Sequence, residues 1–179
     1  MSENSLKPEI FVLDATAFIG LDFPQLQTNP NSHFFTTLNV VSELKSFRSR
    51  MNLDILKHSG RLKFRTPEIT LVKELKRRIQ TIDPQTTLSS IDIEVLALTV
   101  QLNGILISND LGLQNAALHF EIPVKVISGK KITYLREWQL KCASCGKIIR
   151  DLQRICPICG GFLKRVPIET IKQKPELME

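Results

Sequence analysis

The sequence predicts an α/β protein: a parallel sheet layered between helices, followed by a small metal-stapled unit. Two observations carry this. Over the first 130 residues, short apolar runs of strand length alternate with amphipathic segments of helical period, an order that requires crossover connections and hence a parallel sheet. Beyond them stand two C-x-x-C pairs, Cys142 with Cys145 and Cys156 with Cys159, separated by ten residues.

Ile10 to Leu13 is a continuous apolar run ended by Asp14, which is how a strand buried on both faces reads. Phe34 to Thr37 is a candidate second strand, leading into a helix from about Asn39 to Arg50. Pro67 precedes a helix over Glu68 to Gln80. Its apolar residues Ile69, Val72, Leu75 and Ile79 are interleaved with Lys73, Lys76, Arg77 and Arg78, giving a basic outer face. Ser89 and Ser90 open another helix with Ile91, Val95, Leu98 and Leu102 on one stripe, and Gly104 is placed to end it. Ile105 to Ser108 reads as a strand, Leu111 to Phe120 as a helix and Val124 to Ile127 as a last strand. Ser128 to Lys131 marks a polar boundary, and Ile132 to Leu140 reads as a short strand or a linker. The expected division is a three-layer domain over residues 1–130, a linker over 131–140, the cysteine unit over 141–166 and a flexible tail over 167–179.

A chain of 179 residues with 42% hydrophobic side chains suffices for one main core and a mini-domain. No stretch approaches the roughly 18 apolar residues that span a bilayer, and the start MSENSLKPEIF lacks a basic-then-apolar leader. The expectation is a soluble, cytoplasmic protein. Thiols there stay reduced, so paired cysteines point to metal binding over disulfides or redox pairs. The net charge of +6 is unevenly spread: eleven Lys or Arg against three acids between Lys45 and Arg78, and eight against four from Lys141 onward. Two basic regions suit a polyanion such as RNA, although solvated helix faces have the same composition.

Two thiolates three positions apart share one metal across a tight turn, and Gly146 and Gly160 follow the two pairs. Four such ligands close a tetrahedral site, which makes Zn²⁺ structural. Lys147, Arg150, Arg154, Lys164 and Arg165 surround the ligands, as an RNA grip or as a solubilising surface.

Acids supply the second pattern. Asp14 and Asp110 each follow a strand and emerge at the carboxyl edge of the sheet, where open α/β sheets gather ligands. Singly, each is also what an N-cap requires. Glu43 falls on the stripe of Val40, Leu44 and Phe47, an inward position that is costly for a carboxylate without a partner. Asp92 stands in the first turn of its helix, where the helix dipole alone accounts for an acid. Glu94, two positions on, points about 200° away, leaving Asp92 to face the site. If the four converge, pairs about 5 Å apart repel by about 3 kcal/mol at an effective dielectric of about 20. Such a cluster calls for a divalent cation, and all-oxygen ligation points to Mg²⁺ or Mn²⁺.

The segments VLDATAF, VVSELKSF, LSSIDIEVLAL and ILISNDLGLQNAA resemble the four acidic motifs of PIN domains, over residues 10 to about 128. With the appended zinc ribbon the chain resembles the Nob family of PIN endonucleases. That resemblance implies a PIN-like three-layer α/β/α domain with a C-terminal ribbon. It also implies a metal-dependent endoribonuclease that cuts precursor small-subunit ribosomal RNA at its mature 3′ end. Asp14, Glu43, Asp92 and Asp110 would be its metal-binding acids, with Thr16 and Ser108 orienting a carboxylate or water. Many relatives carry two adjacent aspartates where this chain has Asn109 and Asp110, so a fifth carboxylate is missing. By likeness the products carry 5′-phosphate and 3′-hydroxyl ends, and the source is archaeal. The expected partners are the precursor RNA and the small ribosomal subunit, with single-stranded RNA as substrate and no membrane. His33, His58 and His119 fall outside the motifs. Rival readings are a non-catalytic assembly factor on the same fold, a PIN toxin, and a zinc-ribbon transcription or ribosomal component.

Overall fold

The structure is a computed structural model that describes residues 9–20, 32–83, 86–149 and 153–168. Five parallel strands lie in the order β3-β2-β1-β4-β5. They are β1 (Ile10–Leu13), β2 (His33–Thr36), β3 (Leu62–Phe64), β4 (Ile105–Ile107) and β5 (Val124–Lys125). Phe11 pairs with Phe34 on one side and Ile105 on the other. Helices flank the sheet, which explains the unbroken apolar runs: Phe11, Val12, Leu13, Phe34, Leu106 and Ile107 are all buried.

The helices are α1 (Ala15–Gly20), α2 (Leu38–Glu43), α3 (Phe47–His58), α4 (Ile69–Ile82), α5 (Ser90–Gln101) and α6 (Leu111–His119). Helix α5 is the central one. Besides Val95 and Leu98 of the expected stripe it buries Ile93, Leu96, Ala97 and Thr99, at about 1.5–3 kcal/mol for each large apolar side chain removed from water.

Several boundaries differ from the sequence expectation. The single helix expected over Asn39 to Arg50 is two, broken at Leu44 to Ser46. The Ser46 hydroxyl accepts the Ser49 N–H at 3.1 Å and Arg50 Nε donates to the Leu44 carbonyl at 2.8 Å, so local bonds replace the helical ladder. Helix α3 then continues to His58. Strand β3 and helix α1 add to the elements that the sequence predicts. The turn after α5 is carried by Asn103, with φ of 47°, and Gly104 instead allows close approach: a Cβ there would lie 3.0 Å from the Ile10 carbonyl.

The cysteine unit is an antiparallel sheet in the order β7-β6-β8, with β6 (Glu137–Cys142), β7 (Ile148–Ile149) and β8 (Leu163–Ile168). Its core is small: Leu140, Cys142, Cys156 and Leu163, with Ile149 against them. Strand β6 starts within the expected linker and β8 runs into the expected tail; residues 169–179 lie outside the described residues.

Helix α6 fastens the connecting chain. Asn115 exchanges two backbone bonds with Arg136, at 2.9 and 2.8 Å, and the Gln114 amide accepts the Ile132 N–H at 2.9 Å. Arg165 of β8 pairs with Asp83 at the end of α4, Nε to Oδ1 at 3.0 Å. Among the described residues no helix is long and apolar enough to cross a membrane.

Candidate active site and metal centre

Chain order runs outward from β1 through β2 to β3 on one side and from β4 to β5 on the other, so the sheet changes direction between β1 and β4. Ligand sites form at the carboxyl ends flanking such a switch point. Asp14 is the first residue past β1 there, and its N–H donates to the Ile107 carbonyl at 3.3 Å.

The Asp14 carboxylate is 4% exposed and is held from three directions. Ser108 Oγ donates to Oδ2 at 2.6 Å, the Ala17 N–H to Oδ1 at 2.8 Å, and the Thr16 hydroxyl lies 2.9 Å from both oxygens. Ser108 Oγ in turn accepts the Asp110 N–H at 3.0 Å, and Thr16 Oγ1 accepts the Asn109 N–H at 2.8 Å. One hydroxyl thereby positions both aspartates. Asp110 also caps α6, its Oδ1 accepting the Leu113 N–H at 2.7 Å. Burial pushes the Asp14 carboxyl up from 3.8 to about 6. The Asp110 charge pushes the same way, while the bonds from Ser108, Ala17 and Thr16 oppose it.

Glu43 departs from its expected place. The helix ends at Glu43, so the stripe through Phe47 does not exist; Phe47 is 84% exposed and Glu43 is itself exposed. Its carboxyl is still raised above the ordinary value, first by partial desolvation and then by the Asp92 charge, with Lys45 opposing. Asp92 completes a capping box, accepting the Ser89 N–H at 2.7 Å. Glu94, set aside on helical geometry, reaches α2 as well: Oε2 accepts from Asn39 Nδ2 at 2.7 Å. No periodicity marks that contact, which follows from α5 lying beside α2.

The acids thus stand as two like-charged pairs, Asp14 with Asp110 and Glu43 with Asp92. They do not close into a set of three with ligand atoms within 4.8 Å of one another. Among the described residues none of the four acids forms an ion pair, and Lys45 offsets Glu43 alone. A buried carboxylate facing another, without a basic partner, is a donor set that an oxygen-seeking divalent cation fits.

Asn109 has a different task. Its Oδ1 accepts the N–H groups of Ile127 and Ser128, at 3.2 and 3.0 Å, and its Nδ2 donates to the Thr16 carbonyl at 3.3 Å and to Ser128 Oγ at 3.2 Å. The amide ties α1 to the chain after β5, and an aspartate would set an oxygen against the Thr16 carbonyl.

The four cysteine sulfurs all lie within 4.8 Å of one another, with Cys142 to Cys159 at 3.5 Å and Cys145 to Cys156 at 3.7 Å. Tetrahedral Zn–S bonds of about 2.3 Å place sulfurs about 3.8 Å apart, so the cluster fits zinc. Gly146 and Gly160, with φ of 72° and 73°, turn each pair so that their N–H groups bond the Cys142 and Cys156 carbonyls. The Cys145 N–H is the main reason that the Cys142 thiol is lowered from 9.0 to about 6.

Of the basic residues singled out in the sequence, Lys73, Lys76, Arg77, Arg78, Lys147, Arg154 and Lys164 are exposed. Arg78 lies over the Phe120 ring at 4.7 Å. Arg165 is engaged internally, with Asp83 and with the Trp138 ring 3.7 Å away. Arg150 lies outside the described residues.

The family described as the PIN domain of ribonuclease matches residues 11–102. The chain is 31% identical over 159 residues to the endoribonuclease Nob1 of Pyrococcus abyssi, covering 87% of this chain and 92% of that one. It is 31% identical over 103 residues to the 20S-pre-rRNA D-site endonuclease NOB1 of Saccharomyces cerevisiae, covering 57% of this chain and 22% of the yeast protein. In fold it is similar to VapBC2 of Rickettsia felis bound to a promoter DNA fragment. The TM-score there is 0.51 at 14% identity, over 67% of this chain and 100% of that one.

Proposed function

Because the chain belongs to the PIN-domain ribonucleases, and among them to the Nob1 endoribonucleases, we propose that it is a metal-dependent enzyme of ribosomal RNA processing. Its substrate in this reading is single-stranded precursor small-subunit RNA, cut near the mature 3′ end in the cytoplasm on the small ribosomal subunit. The buried Asp14 carboxylate at the β1–β4 switch point carries the proposal, because it is oriented by Ser108 and Thr16 and, among the described residues, paired with no cation.

Asp14, Asp110, Glu43 and Asp92 would hold Mg²⁺ or Mn²⁺. When bound, such an ion lets a water attack the phosphodiester and stabilises the leaving oxygen. Ser108 and Thr16 keep the Asp14 lone pairs directed, and the Asp110 cap keeps the second carboxylate at the mouth of α6. Lys73, Lys76 and Arg77 on α4, and Lys147, Arg154 and Lys164 on the ribbon, would neutralise the RNA backbone. The ribbon zinc is structural, since four thiolates leave no open position.

The test is to incubate the protein with RNA spanning the 3′ end of small-subunit RNA, with Mn²⁺ or with chelator, beside Asp92→Asn. One discrete cut that needs both metal and Asp92 supports the reading. Tight binding without a cut, unchanged in the variant, replaces it with a non-catalytic assembly factor.

A further inference from the structure

Beside the acids, a cleft of about 210 Å³ opens where the nuclease domain meets the ribbon. Leu88 comes from the approach to α5, Gly112 and Ala116 from α6, Ile132 from the connecting chain, and Trp138 and Arg165 from the ribbon. The cleft borders the acidic site: Gly112 stands two residues after Asp110, and a Cβ there would lie 3.1 Å from Asp110 Oδ1 and 3.6 Å from Leu88. We infer that this cleft seats one unpaired nucleobase of the RNA strand whose backbone lies on the acids, an inference that rests on the nuclease reading.

The lining suits a flat, largely apolar group, with Arg136 and Arg165 as its cations. Its one carboxylate, Asp83, is paired with Arg165, and Arg165 lies over the Trp138 ring, making a planar wall of low net charge. Leu88, Ala116 and Ile132 offer no polar side-chain group to an anion. Unpaired bases are commonly held in this way, on aromatic rings and guanidinium planes. Polar groups that could read base edges are engaged: Asn115 by both backbone groups of Arg136, His119 Nε2 by the Arg136 carbonyl and the Thr86 hydroxyl by the Leu88 N–H. The cleft therefore grips through shape and stacking and discriminates little between bases. That planar wall comes from the ribbon, so the ribbon helps to build the substrate site.

Trp138 is the one tryptophan of the chain, which makes its fluorescence a reporter of the cleft. The experiment titrates Asp14→Asn protein, in which the nuclease acid is neutralised, with single-stranded RNA spanning the cut. It is repeated with an abasic nucleotide at each position in turn, and wild-type cleavage of the intact RNA is assayed alongside. Intact RNA should change Trp138 emission. One abasic position next to the cut should remove that change and weaken binding about tenfold, whereas swapping the base there should alter binding less than threefold. A flat abasic scan beside active wild-type enzyme overturns the cleft and leaves the nuclease. A single sensitive position with no wild-type cleavage supports the cleft and overturns the nuclease. Absence of RNA binding overturns both.

Discussion

Ser108 donates to Asp14 Oδ2 at 2.6 Å across the β1–β4 switch point and, through the same oxygen, accepts the Asp110 N–H at 3.0 Å. This fully buried hydroxyl is the joint between the two aspartates, and its bond stabilises the charged form of Asp14. Ser108→Ala should therefore lower cleavage by about tenfold or more, as loss of a buried bond to a charged group costs about 1.5–3 kcal/mol. The diagnostic readout is the pH profile. Without the donor the acid limb of the rate profile should move to higher pH, and Ser108→Thr should restore it; a limb that stays in place would mean the hydroxyl only packs.

The raised Asp14 carboxyl sets a second expectation. With a folded value of about 6 above an ordinary 3.8, the folded state binds the proton more tightly than the unfolded chain does. The stability of metal-free protein is thus greatest below 3.8 as far as this group is concerned, and falls as pH rises from about 4 to 6. At about 1.4 kcal/mol per pH unit the full loss is about 3 kcal/mol. Asp14→Asn escapes the loss but forfeits one acceptor. The variant should therefore be more stable than metal-free wild type by about 1–2 kcal/mol at pH 7.5, with the advantage gone near pH 4.5. Urea unfolding at the two pH values checks this, and Mn²⁺ should raise the wild-type midpoint alone.

Much of this arrangement is legible in the sequence, for reasons that differ by element. Strand β1 announces itself because four consecutive apolar residues stop at Asp14, and the cysteine spacing encodes its own geometry. Strand β3 escapes because three residues with Lys63 in the middle carry no usable period. The inward-facing reading of Glu43 fails because a helical stripe presumes an unbroken helix, and the Ser46 cap that breaks it is a local bond. The role of Asn109 is invisible in sequence: its four partners come from Thr16 and from residues 127–128. The same holds for Thr36, whose buried hydroxyl donates to the Leu13 carbonyl at 2.9 Å and closes the end of β1.

Asp83 and Arg165 join the two units, with side chains 12% and 28% exposed. Removing one partner leaves the other partly desolvated, so the loss exceeds that of a surface pair but stays below that of a fully buried one. Asp83→Ala should destabilise the protein by about 1–3 kcal/mol in denaturant melts. It should also speed amide exchange in β8 more than in β1, because the bond holds the ribbon and not the parallel sheet. Equal acceleration in both strands would show that the two units open together.

Zinc removal separates the units most directly. The ribbon core holds two leucines and two of the four clustered cysteines, with Ile149 against them, too few apolar groups to fold without a metal. The nuclease core is a separate cluster that contains no cysteine. Chelation, or Cys156→Ser, should abolish the amide protection of β6 to β8 while β1, β4 and α5 keep theirs. Because Trp138 and Arg165 line the cleft beside the acids, cleavage should fall as well, and through substrate binding: KM should rise about tenfold while kcat changes little. A fall in kcat at constant KM would instead mean that the ribbon acts on the acids themselves.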